Sequence, residues 1–167
     1  MSENKLLTFR PAHAVDLPEL EALQARASLA AGENVNDLIS NPDAMVIPPE
    51  NLSLSVVAEI SGVVAGFCTI LPTSLDGAEV DAVFVDPKAW RTGLGRALLL
   101  YAEQEILTKE TRSLGVVSGR HAVPFYQSLG FRESGVVMTR FGPAVRLIKT
   151  LNSACDRPAD PRAEQTE

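Results

Sequence analysis

Apolar and polar positions along the 167-residue chain change their period several times, and each change predicts an element. Residues 6–9 form a short apolar run suited to a first strand. From Asp16 the stretch "DLPELEALQARA" puts Pro18 in a first helical turn and Glu19 three residues on, a helix start of capping-box type. Leu17, Leu20, Leu23 and Ala27 then share one helix face. A weaker helical patch covers 34–40, and "NPDAMVIPPEN" reads as a loop because three prolines interrupt it. Residues 52–60 and 63–71, rich in Val and Ile and split by Ser61-Gly62, read as a β-hairpin. A strand follows at 79–85, closed by Asp86-Pro87. Helical spacing returns at 94–107, strand character at 114–117. Another helix at 121–129 shows Ala122, Phe125, Tyr126 and Leu129 on one face and ends at Gly130. Residues 131–139 and 144–151 predict two last strands, and polar, proline-bearing 152–167 predicts a disordered tail. The order is that of a mixed α/β chain in one domain, residues 1–151.

The junction "WRTGLGRALL" raises a chemical question, because Gly93 and Gly95 stand where a strand gives way to a helix. A helix start leaves several amide N–H groups unpaired, and with the helix dipole these attract anions. Glycine lets a phosphate approach the backbone, and Arg91 and Arg96 add positive charge. A glycine-bearing loop before a surface helix is the plain alternative. A dinucleotide-binding turn would need a third glycine where Leu98 stands, and a P-loop would need Gly-Lys-Ser/Thr where the chain has Gly95-Arg96-Ala97.

Charge and composition narrow the classes further. A net charge of −6 provides no field for nucleic-acid backbones, so no nucleic-acid partner is expected. No apolar run reaches the roughly 18 residues a membrane helix needs. Two distant cysteines, Cys68 and Cys155, fit a reduced, cytoplasmic protein without structural disulfides. Two histidines without ligand spacing predict no metal site.

Two segments carry a resemblance. "AVFVDPKAWRTGLGRALL" (82–99) and "HAVPFYQSLGF" (121–131) are similar, in order and separation, to the strand, phosphate loop and later helix of the GNAT superfamily of acyl-CoA-dependent N-acetyltransferases. The resemblance implies a mixed central sheet of about six or seven strands flanked by about four helices. It implies acetyl-CoA as co-substrate in a cleft where strand 79–85 splays from 114–117. The pantetheine arm would pair with the backbone of Val83, Phe84 and Val85, and the diphosphate would sit on the N–H groups of Arg91, Thr92, Gly93, Leu94, Gly95 and Arg96. Two positions depart from the family pattern: Trp90 stands where relatives carry Arg or Gln, and Gly119 where many carry an asparagine. Relatives are often dimers, so a homodimer is compatible with the likeness.

Acyl transfer to an amine needs a neutral nucleophile, a stabilised oxyanion and a proton for the departing thiolate. Tyr126 matches the family's general acid, whereas spacing alone reads it as a core aromatic. Glu79 and Asp81, two apart on one strand face, are the candidate bases, with a solvated strand end as the plain reading of Glu79. Cys68 reads as an inert buried thiol and His121 as a solvated side chain. Glu33, Asp37, Asp43 and Glu50 lie in the segment that, by family analogy, roofs an acceptor pocket. The expected activity is acetyl transfer from acetyl-CoA to a small-molecule or peptide primary amine by direct attack; the alternative is a non-catalytic acyl-CoA-binding or regulatory module of the same fold.

Overall fold

A computed structural model describes residues 5–151; the predicted tail at 152–167 lies outside the described residues. The strands are β1 (Leu7–Pro11), β2 (Ser55–Ile60), β3 (Val63–Pro72), β4 (Gly77–Val85), β5 (Ser113–Ser118), β6 (Arg132–Thr139) and β7 (Gly142–Thr150). They form one sheet in the order β1-β2-β3-β4-β5-β7-β6, antiparallel throughout except for the parallel pair β4–β5. Four α-helices accompany it: α1 (Leu17–Ala31), α2 (Val35–Ser40), α3 (Leu94–Ile106) and α4 (Val123–Ser128). The mixed sheet and helix complement match the expected α/β architecture. No helix among the described residues is long and apolar enough to cross a membrane.

Strand alternation divides the core between two faces. On β2, Val56 and Ala58 join α3 on one side, while Val57 joins Leu20 and Leu23 of α1 on the other. The α3 layer lies very close to the sheet at Gly66, where a Cβ would stand 2.9 Å from the Phe84 carbonyl oxygen and 3.2 Å from Leu98. Any larger residue would press on the β4 backbone and displace the end of the Leu98 side chain. The Ser61-Gly62 hairpin forms as the sequence predicts, both residues having positive φ (51° and 80°).

Two local expectations change. Asp16 closes a 3₁₀ turn (Ala14–Asp16) and makes no side-chain cap to α1. Its carboxylate instead accepts from the His13 amide at 2.7 Å and from both terminal nitrogens of Arg10 at 2.8 Å. A guanidinium outcompetes the helix amides for a nearly buried carboxylate. The strand expected from residue 52 begins only at Ser55, because Pro49–Leu54 forms a 3₁₀ turn.

The feature that positions the site is the limited pairing of β4 with β5. Gly77–Val80 pair with Ser113–Val116, and no pair follows. At that point Asp81 is an extra residue in β4, since Val80 pairs with Ile70 and Ala82 with Thr69. The bulge inverts the alternation: Ala78 and Val80 face the α3 core before it, Val83 and Val85 after it. The far half of β4 thereby turns away from β5 and leaves a wedge.

Candidate active site

The wedge opens into a cleft of about 630 Å³ walled by Val83 and Val85, by Trp90, Arg91 and residues 93–96 of the loop but not the expected Thr92, and by the face of α4 with Phe125 and Tyr126. A smaller compartment of about 290 Å³ adjoins it, sharing Val83, Val85, Trp90 and His121 and extending to α1 and Glu33. In the antiparallel β3–β4 ladder the Asp86 amide bonds the Ala65 carbonyl. Alternation then directs the polar backbone groups of Phe84 to β3 and those of Val83 and Val85 outward into the wedge. Of the three expected pantetheine partners, two therefore present backbone to the cleft. Phe84 contributes its ring to the smaller compartment and packs on Phe67, centroids 5.6 Å apart.

The loop holds its amides open. Among the described residues, no N–H from Arg91 to Arg96 donates to a protein acceptor; the first to do so is Ala97, to the Gly93 carbonyl at 3.1 Å. Gly93 is the N-cap of α3 with φ 82°, and Arg91 also has positive φ, 61°. Thr92 fixes the turn by donating Oγ1 to the Ala89 carbonyl at 2.6 Å. Gly95 differs from Gly93: it is helical, and a Cβ there would meet Phe125 at 3.5 Å, ordinary contact. Packing alone would accept alanine at 95. Arg96 spends a nitrogen on the Ser128 carbonyl at 3.3 Å, tying α3 to the end of α4.

Tyr126 is 8% exposed, held edge-to-face between Phe125 and Phe131 with centroids 5.0 and 5.5 Å away. Among the described residues its hydroxyl has no hydrogen-bond partner, yet no side-chain oxygen or nitrogen is sealed from solvent unpaired. The hydroxyl therefore opens to the cleft that Tyr126 lines. Burial, and secondarily Cys68, pushes the phenol well above its usual range, so it stays protonated. Cys68 is fully buried, and burial pushes its thiol up as well, which leaves an inert group.

The two candidate bases stand apart from this cleft. Glu79 faces the Arg146 guanidinium at 3.8 Å, and neither it nor Asp81 lines either compartment. Asp81 is exposed at the bulge. Its carboxyl is still held above the usual range, first by partial desolvation and then by the charge of Glu79.

Residues 51–133 match the model of the acetyltransferase (GNAT) domain. This segment belongs to the GNAT family. Solved structures with the GNAT fold align over nearly its whole length. The PaiA N-acetyltransferase from Thermoplasma acidophilum, crystallised with coenzyme A, superposes with a TM-score of 0.71 at 18% identity, covering 87% of this chain and 99% of that one. The ribosomal-protein-S18-alanine N-acetyltransferase from Escherichia coli gives 0.66 at 23% identity, covering 93% and 100%. N-acetylglutamate synthase from Neisseria gonorrhoeae, with coenzyme A and N-acetyl-glutamate, gives 0.67 at 18%, covering 90% of this chain and 36% of that one. A comparison with curated proteins finds no match.

Both departures from the GNAT pattern have a structural use. The Trp90 indole donates Nε1–H to the Val85 carbonyl at 2.8 Å, clipping the loop to the end of β4 at the junction of the compartments. Gly119 makes room for a contact that the sequence reading missed: His121 Nδ1 lies 2.8 Å from Glu33 Oε2. A Cβ at 119 would stand 2.7 Å from that oxygen and 2.9 Å from that nitrogen. The two partners are far apart in sequence, and no local pattern joins them.

Proposed function

We propose that this GNAT domain transfers an acetyl group from acetyl-CoA to a primary amine by direct attack. The observation that carries this is one cleft that brings together the unpaired amides 91–96 and the unpartnered Tyr126 hydroxyl. A run of free N–H groups at a helix start, with glycine at 95 where packing would take alanine, suits a diphosphate. Val83 and Val85 offer strand-edge groups to an extended amide-bearing arm. Arg91, which lines the cleft, adds a charge to the phosphates. Coenzyme A in two of the similar structures supports the same ligand here.

The thioester supplies the acetyl group; the protein's residues supply the rest. Tyr126 carries its proton at the cleft floor for the sulfur that leaves. The smaller compartment, walled by Ala27, Ala31, Leu38 and Phe84, receives the acceptor, a small-molecule or peptide amine. The testing experiment is a melting-temperature titration with acetyl-CoA, joined to a screen of amines for thiol release. A cofactor-dependent rise with turnover is expected. A rise without turnover on a broad amine panel would instead favour the non-catalytic acyl-CoA-binding module, and no rise would remove both.

A further inference from the structure

We propose that His121, oriented by Glu33, is the general base that takes the proton of the acceptor amine, an inference that rests on the N-acetyltransferase reading. His121 lines both compartments and Glu33 the smaller one, so the pair stands where acceptor and acyl donor would meet. The 2.8 Å contact occupies Nδ1, which donates its hydrogen to the carboxylate and leaves Nε2 as the basic nitrogen. Both side chains are about half exposed, 53% and 45%, so an amine arriving from water can reach them. The space they need exists only because residue 119 has no side chain.

The charged surroundings are few. Besides Glu33, the ionisable groups lining the two compartments with His121 are Tyr126 on α4 and Arg91 and Arg96 on the phosphate-loop wall. Arg120, next to His121 on its own turn, extends toward Glu133 of β6 at 3.7 Å. Glu79 and Asp81 line neither compartment.

An ammonium gives its first proton to Nε2, which returns it to water. The neutral nitrogen forms the N–C bond as the C–S bond breaks. The departing thiolate takes the Tyr126 proton, and the second proton leaving nitrogen restores Tyr126 through water. The balance is amide, free thiol and one released proton.

The test uses the full chain with an acceptor found by amine screening. Rate against pH and acetyl-CoA affinity are compared for the parent, His121→Gln, Glu33→Gln and Asp81→Asn. Expected for His121→Gln is affinity within about twofold and kcat/KM at neutral pH lower by about 10²–10³-fold. That deficit should close toward alkaline pH, where the amine deprotonates unaided, and added imidazole should restore part of the rate to His121→Ala. Glu33→Gln should lose about tenfold. Three results would each overturn the role: His121→Gln within threefold of the parent with the same pH profile, loss of cofactor affinity in step with rate, or the same alkaline-rescued deficit shown by Asp81→Asn and not by His121→Gln. If the parent acetylates no amine, the functional reading falls and this role with it; if only His121→Gln stays fully active, the role alone falls.

Discussion

Gly93 and Gly95 look equivalent in the sequence and are not. Gly93 needs its left-handed φ, whereas Gly95 is helical with room for a methyl group on the protein side. Gly95→Ala is therefore expected to leave the free protein as stable or up to about 1 kcal/mol more stable, while lowering acetyl-CoA affinity tenfold or more. Calorimetry without and with cofactor checks both signs. The arginines separate in the same way. Arg96 is engaged at Ser128 and Arg91 has no protein partner among the described residues, so Arg91→Ala should weaken binding more and flatten its salt dependence. Tyr126→Phe should bind the cofactor as the parent does and turn over about 10²–10⁴ times more slowly, read from thiol release. The resemblance to the GNAT pattern pointed to Tyr126, which spacing alone reads as a core aromatic, whereas the open loop 91–96 followed from residue types, because local sequence encodes a turn. The Glu33–His121 contact was illegible, since nothing local joins the α1–α2 loop to the turn before α4.

Among the elements, β4 shows what periodicity delivers and where it stops. Its existence and place followed from "EVDAVFV", but the bulge at Asp81 follows from register with β3, which one strand does not encode. α1 starts where the sequence puts it, with Asp16 at its N-cap position, but the side-chain cap does not form for a related reason: Arg10 on β1 claims the Asp16 carboxylate. Arg10 holds the Asp16 carboxyl below the usual range, aided by the His13 amide. A depressed carboxylate contributes its full stability above the unfolded value, about 3.9, and loses it as pH falls through the folded one. Asp86, lowered by the Lys88 amide and by Arg26, acts in the same direction. The melting temperature should thus drop from about pH 4 downward. Asp16→Asn should cost roughly 2–3 kcal/mol at pH 7 and show a flatter acid dependence, both measurable by chemical denaturation across pH.

At the scale of the molecule, the mixed sheet with a flanking α/β order was legible, because hydrophobic periods name the elements and few topologies accommodate them. The strand order β5-β7-β6 and the depth of the wedge depended on long-range pairing. The sheet consists of two blocks, β1–β4 and β5–β7–β6, laced by four residue pairs at one end and parted at the other. Such a seam is a hinge line, and whatever lodges in it acts as a keystone. Acetyl-CoA should therefore slow hydrogen exchange at amides on both sides of the gap, Val83 and Val85 included, and raise cooperativity of unfolding as well as melting temperature. Exchange that slows only in the loop 91–96 would mean that the blocks hold together unaided. Otherwise, the protein completes its own architecture only while it carries its reactant.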